Sequence, residues 1–193
     1  MSIGWRLPHI RQRPQPGDER RMSVTTAIVL GSFHVARVDG LHRLIRAARA
    51  GDPTAIGAVV DRLRWTIGSI WPTITDAVVV PVPGHLPASD VPLVQIASSE
   101  IATRRGWFCA EGALRRCQPA PAAKTGPVRD RRAEIETLVW MAPEHGRTIV
   151  FVDDVVRTGT TLRVCAEAIR AAGDRREIVA IALAAAIPGD GRS

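Results

Sequence analysis

The sequence predicts an α/β fold built on a mostly parallel, twisted sheet flanked by helices, and three observations predict it. Residues 77–81 (Ala-Val-Val-Val-Pro) are a short apolar run, and residues 147–152 and 177–185 repeat the pattern. Such runs suit strands covered on both faces, as in parallel sheets. Segments with apolar residues at helical spacing separate them, which is the alternation that a parallel sheet requires.

The elements follow in order. Residues 1–22 are basic and Pro-containing, without periodicity, and read as a flexible tail; residues 23–193 form the domain. Residues 25–30 are a β-type run. A helix is expected over 39–50, with Leu41, Leu44, Ile45 and Ala48 on one face and Asp39 as N-cap. Gly51 stops it, and Asp52-Pro53-Thr54 opens a second helix to about residue 70. A Pro/Gly-rich loop follows strand 77–81, then a helix over 92–105. Residues 115–132 mix Pro, Ala, Gly and basic side chains aperiodically and read as one long loop, of a length that is functional or disordered. A helix over 160–172 ends at Gly173, before strand 177–185.

Composition excludes several classes. With 46% hydrophobic residues the chain is not disordered. No apolar run approaches the ~20 residues of a membrane span, and residues 1–21 hold no apolar leader core, so no membrane partner and a cytoplasmic location are expected. Cys109, Cys117 and Cys165 form no C-x-x-C pair, which argues against a disulfide framework or zinc knuckle; Cys165 reads as a core residue. A net charge of +7 fits a phosphorylated substrate, nucleic acid met by the basic tail, or a solvated surface. No aromatic stacking platform accompanies it, since tyrosine is absent. Oligomeric state is not legible, and a homodimer stays open.

Chemistry concentrates after the strand at 147–152. Asp153-Asp154 is followed by Val155-Val156-Arg157-Thr158-Gly159-Thr160-Thr161 and then the helix. Ligands of open α/β sheets bind beyond the carboxyl ends of strands. A Thr/Gly loop at a helix N-terminus presents backbone N–H groups, hydroxyls and a positive dipole end, which suits a phosphate. Two adjacent carboxylates can accept hydrogen bonds from a vicinal diol or hold a divalent cation. Competing readings are a Walker-B strand, a receiver-like acidic pocket, and a ligand-free strand-to-helix turn. The first fails because no G-x-x-x-x-G-K-[ST] exists: Ala123 precedes Lys124, the sole lysine. A long Thr/Gly turn is not expected in the second, and adjacent acids would repel in the third.

The stretch 151–161, Phe-Val-Asp-Asp-Val-Val-Arg-Thr-Gly-Thr-Thr, resembles the motif by which type I phosphoribosyltransferases bind 5-phosphoribosyl-1-pyrophosphate (PRPP). A wider likeness over residues 25–185 is to the ComF-like, competence-associated branch. It rests on residues 40–51, on Val80-Pro81-Val82-Pro83, and on Arg132 eight residues before Trp140. The resemblance implies that Asp153 and Asp154 meet the ribose hydroxyls and the magnesium ion that PRPP brings, while residues 155–161 cradle the 5′-phosphate. It implies transfer of ribose 5-phosphate to a nitrogen acceptor with release of pyrophosphate, and a small hood formed partly by residues 24–50. Lys124, with Arg129 and Arg132 in the long loop and Pro83, Gly84 and His85 after the first buried strand, would meet the pyrophosphate. A bland reading stands beside each: Lys124 and the arginines as solvated charge, His85 as an incidental loop residue. Trp65, Trp71, Trp107 and Trp140 are expected to pack in the core or hood.

The sequence departs from the pattern. The branch's N-terminal zinc ribbon is missing, residues 84–95 contain no arginine, and Arg157 stands where the family prefers a small or acidic residue. These departures raise a rival reading, a phosphoribosyl-binding accessory of DNA uptake or nucleotide sensing without turnover.

Overall fold

The computed structural model of the chain describes residues 24–34, 39–85, 92–120 and 131–187. The basic tail, Lys124 and Arg129 lie outside the described residues. Strands β1 (Thr25–Ile28), β2 (Ser32–His34), β3 (Ala77–Pro81), β4 (Phe108–Cys109), β7 (Thr148–Val156) and β8 (Glu177–Ile187) form one sheet. Its order is β1-β8-β7-β3-β4, with β2 also on β8, and every pairing in it is parallel. The expected α/β class with a mostly parallel sheet is what the chain adopts.

Burial explains the apolar runs. On one face, Val79, Val150, Val152, Ile181 and Leu183 pack against helices α1 (Gly40–Arg49), α2 (Pro53–Thr66) and α3 (Pro92–Arg105). On the other, Val78, Val80, Ile149, Phe151 and Ala180 pack against α5 (Thr160–Ala171). Neither face meets water, so neither needs polar alternation. The helix starts are capped as expected. Asp39 accepts the His42 N–H at 2.8 Å, and Asp52 accepts that of Ala55 at 2.7 Å ahead of Pro53. Among the described residues no helix is long and apolar enough to cross a membrane.

Several expectations need correction. The run expected as one strand over 25–30 continues to residue 34 along the edge of β8. It kinks at Gly31 (φ 108°), while the Val29 and Leu30 N–H groups still reach the Ala182 and Leu183 carbonyls. Of residues 24–50, where part of a hood was expected, the described residues 24–34 and 39–50 supply edge strands and α1. The segment 115–132, expected as one long loop, is structured at both described ends. Its start lies in β5 (Leu114–Arg116), which pairs antiparallel with β6 (Leu138–Trp140), and its end lies in α4 (Arg131–Glu136). Helix α2 stops at Thr66, and a 3-10 turn, Ile67–Ser69, completes the segment. Trp65 is not a packing residue: it is 87% exposed, whereas Trp107 is buried. Cys165 is buried, as expected.

Candidate functional site

The connections out of β3 and β7 run in opposite directions. β3 continues into α3 on one face and then to the edge strand β4; β7 continues into α5 on the other face and then to β8. The two strands are neighbours, so a crevice opens between their carboxyl ends, where strand order reverses. Pro83, Gly84 and His85 leave one side of it and residues 153–161 the other. The Val82 N–H bonds the Val152 carbonyl at 2.9 Å, so the loop after β3 starts beside Asp153. The fold therefore brings these two sequence-distant candidate segments to one edge.

Strand β7 carries both acids at its end. Alternation slips there: Val152 packs with the α1–α3 cluster and Phe151 with the α5 cluster, yet Val155 returns to the first and Val156 to the second. At the slip, Asp153 Oδ1 accepts the Asp154 N–H at 2.9 Å, and Asp154 Oδ1 accepts the Val155 N–H at 2.6 Å. Asp153 is partly buried, and burial together with the Asp154 carboxylate pushes its carboxyl up to about 7. Asp154 is 6% exposed. Its Oδ2 lies 2.7 Å from Arg49 Nε of α1, without the alignment of a hydrogen bond, so the contact is a charge pair and that oxygen has no aligned donor.

The following loop is built as a helix entrance. Arg157 and Thr158 are exposed, and Gly159 is the N-cap of α5 in left-handed backbone (φ 68°). Glycine adopts that conformation without penalty, but it offers no side chain to cap the first turn. The N–H groups of the first turn thus have no side-chain acceptor. Thr158 and Thr160 share a hydrogen bond between their hydroxyls at 2.9 Å, and Arg163 Nη2 donates to Thr160 Oγ1 at 3.1 Å. Arg163 Nε is buried without a partner. A cation one turn into a helix opposes the dipole, so this end of α5 is short of negative charge.

Arg49 and Arg163 were missed in the sequence. For Arg163 a signal existed: an arginine one turn into a helix whose cap is glycine. For Arg49 none did, since its partner is far along the chain. A further arginine, the buried Arg116 of β5, braces the crevice. Its Nε donates to the Gly84 carbonyl at 2.9 Å, its Nη1 bonds Thr137 Oγ1, and its Nη2 lies 3.9 Å from Glu134 Oε1. The His85 side chain is exposed, and its carbonyl accepts the Ala120 N–H. Arg132, expected in the loop, stands on α4, 90% exposed, with Nε 3.1 Å from Glu136 Oε1.

Among the described residues no group of three or more His, Cys, Asp or Glu side chains could hold a metal ion. A separate cleft of about 240 Å³, lined by Asp76, Trp107, Phe108 and His145, opens at the amino end of β3, on the opposite edge of the sheet from the acids. Compared with known proteins, the chain matches no family model and no curated sequence.

Proposed function

We propose that the crevice between β3 and β7 binds PRPP and that the chain transfers its ribose 5-phosphate to a nitrogen acceptor, releasing pyrophosphate. One observation carries this reading: an uncapped, glycine-led helix N-terminus with Arg163 in its first turns directly follows a strand that ends in two carboxylates. Phosphate and polyol recognition are thereby adjacent. The Thr158–Thr161 loop would receive the 5′-phosphate through N–H groups, hydroxyls and Arg163. Asp153 and Asp154 would accept the ribose hydroxyls and offset positive charge developing at the anomeric carbon.

Pro83, Gly84 and His85 would flank the pyrophosphate, held in place by the Arg116 bond to Gly84. Lys124 and Arg129 would meet the leaving pyrophosphate, together with Arg132. Magnesium carried by the ligand would neutralise pyrophosphate oxygens. The same reading places the protein in the cytoplasm.

The arginine-free stretch 84–95 favours a second reading, in which the site binds phosphoribosyl ligands without turnover. Pyrophosphate release from PRPP, followed across a panel of nucleobases and amines, separates the two. Release with any acceptor supports the transferase; PRPP binding without release supports the accessory protein.

A further inference from the structure

Arg49 joins two needs of the proposed site. It stands in the last turn of α1 with its side chain 52% exposed, and its Nε meets the buried Asp154 Oδ2 at 2.7 Å. A buried carboxylate has to be compensated from within the protein. Here compensation is incomplete. Oδ1 takes the Val155 N–H, but Oδ2 receives no aligned hydrogen bond, because the guanidinium is close without pointing at it. Planar guanidinium bonds best in a two-pronged geometry, which this contact does not supply. Meanwhile the sequence 84–95, which follows β3, contains no arginine for an anionic ligand.

We propose that Arg49 is a resting counterion of Asp154 that transfers to the diphosphate of the bound ligand. This rests on the phosphoribosyl reading and adds a specificity residue to it. The exchange leaves both partners better satisfied. A ligand hydroxyl donates to Asp154 Oδ2, and two diphosphate oxygens accept the guanidinium fork. A ligand with hydroxyls but no diphosphate displaces Arg49 without offering it a new partner. Free pyrophosphate attracts Arg49 but strips Asp154 of its countercharge. Only a sugar that carries both groups satisfies both ends, so Arg49 selects for the pyrophosphorylated sugar.

The test is calorimetric titration of wild type, Arg49→Ala and Arg49→Lys with PRPP, ribose 5-phosphate and inorganic pyrophosphate, each with Mg²⁺. Melting of the ligand-free variants checks the fold: Arg49→Ala is expected to melt lower than wild type, because Asp154 loses its countercharge, and affinities are compared at a temperature where each variant is folded. Arg49→Ala is expected to weaken PRPP about tenfold or more, while ribose 5-phosphate stays within about twofold or binds tighter. Arg49→Lys falls between, because it keeps the charge and loses the fork. If Arg49→Ala weakens PRPP and ribose 5-phosphate by the same factor, or leaves PRPP unchanged, the inference is overturned while the phosphoribosyl reading stands. Wild-type protein that binds none of the three defeats both.

Discussion

Arg116 Nε donates to the Gly84 carbonyl at 2.9 Å, tying the β5–β6 hairpin to the loop that leaves β3. The side chains of Arg116 and Glu134 are 1% and 3% exposed. Removing one member of a buried charged pair leaves the other charge poorly compensated, at about 3–5 kcal/mol. Arg116→Met should therefore destabilise by about 3 kcal/mol, and Arg116→Met with Glu134→Leu should recover most of the loss. Denaturant unfolding of the single and double variants checks this; equal stability of Arg116→Met and wild type would contradict it.

Asp174 and Arg176 brace the far end of the sheet. Arg176 Nη2 meets Asp174 Oδ2 at 2.5 Å, and its Nη1 collects the Pro143, His145 and Gly146 carbonyls. Hydrogen bonds from Arg176, aided by Trp140 Nε1, hold the Asp174 carboxyl down at about 2. A depressed folded-state value contributes stability above the unfolded value, near 4, that is lost as pH falls toward 2. Asp174→Asn should cost about 1–2 kcal/mol at pH 7 and flatten the decline in melting temperature between pH 4 and pH 2. An unchanged acid limb in the variant would contradict the assignment.

Gly146 lies against the start of β3. A Cβ there would sit 2.4 Å from Val78 N and 2.6 Å from Ala77 C, and its φ is 78°. Backbone cannot move aside as a flexible side chain can. Gly146→Ala should destabilise by about 3 kcal/mol through overpacking and left-handed strain, whereas Gly112→Ala, with nothing within 4 Å, meets only the strain. Comparing the two melts isolates the packing contribution.

What could be read in advance follows from locality. Strands β3, β7 and β8 announced themselves because both faces are buried and their runs are continuous. The starts of α1 and α2 announced themselves because Asp39 and Asp52 cap within three residues. β4 is two residues long at an edge, below any periodic signal. Arg116 read as part of a long loop because its burial depends on Glu134, Thr137 and Gly84, none adjacent in sequence. Trp65 looked like core because composition cannot say which face of α2 meets the sheet. At the site, the acids and the Thr/Gly loop are contiguous and were legible, whereas Arg49 meets Asp154 only through the fold.

Asp153 should make stability fall as pH rises. Burial and the Asp154 carboxylate lift its carboxyl to about 7. A raised folded-state value means that the folded state holds the proton more tightly, so the contribution is complete below about 4 and lost as pH rises through about 7. Asp153→Asn should raise the melting temperature at pH 8 by about 2–4 °C, the equivalent of about 1 kcal/mol in a chain this long, with little change at pH 4. A variant that melts below wild type at pH 8 would count against this electrostatic picture.

The most direct measurement is titration of PRPP with Mg²⁺ into wild type, Asp153→Asn and Asp154→Asn, read by thermal shift and calorimetry. A ligand that binds only the folded state raises the melting temperature by mass action. The phosphoribosyl reading predicts a clear upward shift for wild type, a smaller one with ribose 5-phosphate, and affinity reduced by about 1.5–3 kcal/mol in each variant, because charge-assisted hydrogen bonds to the ribose are lost. Superimposable melting curves of wild type with and without millimolar PRPP, or wild-type affinity in both variants, would contradict it.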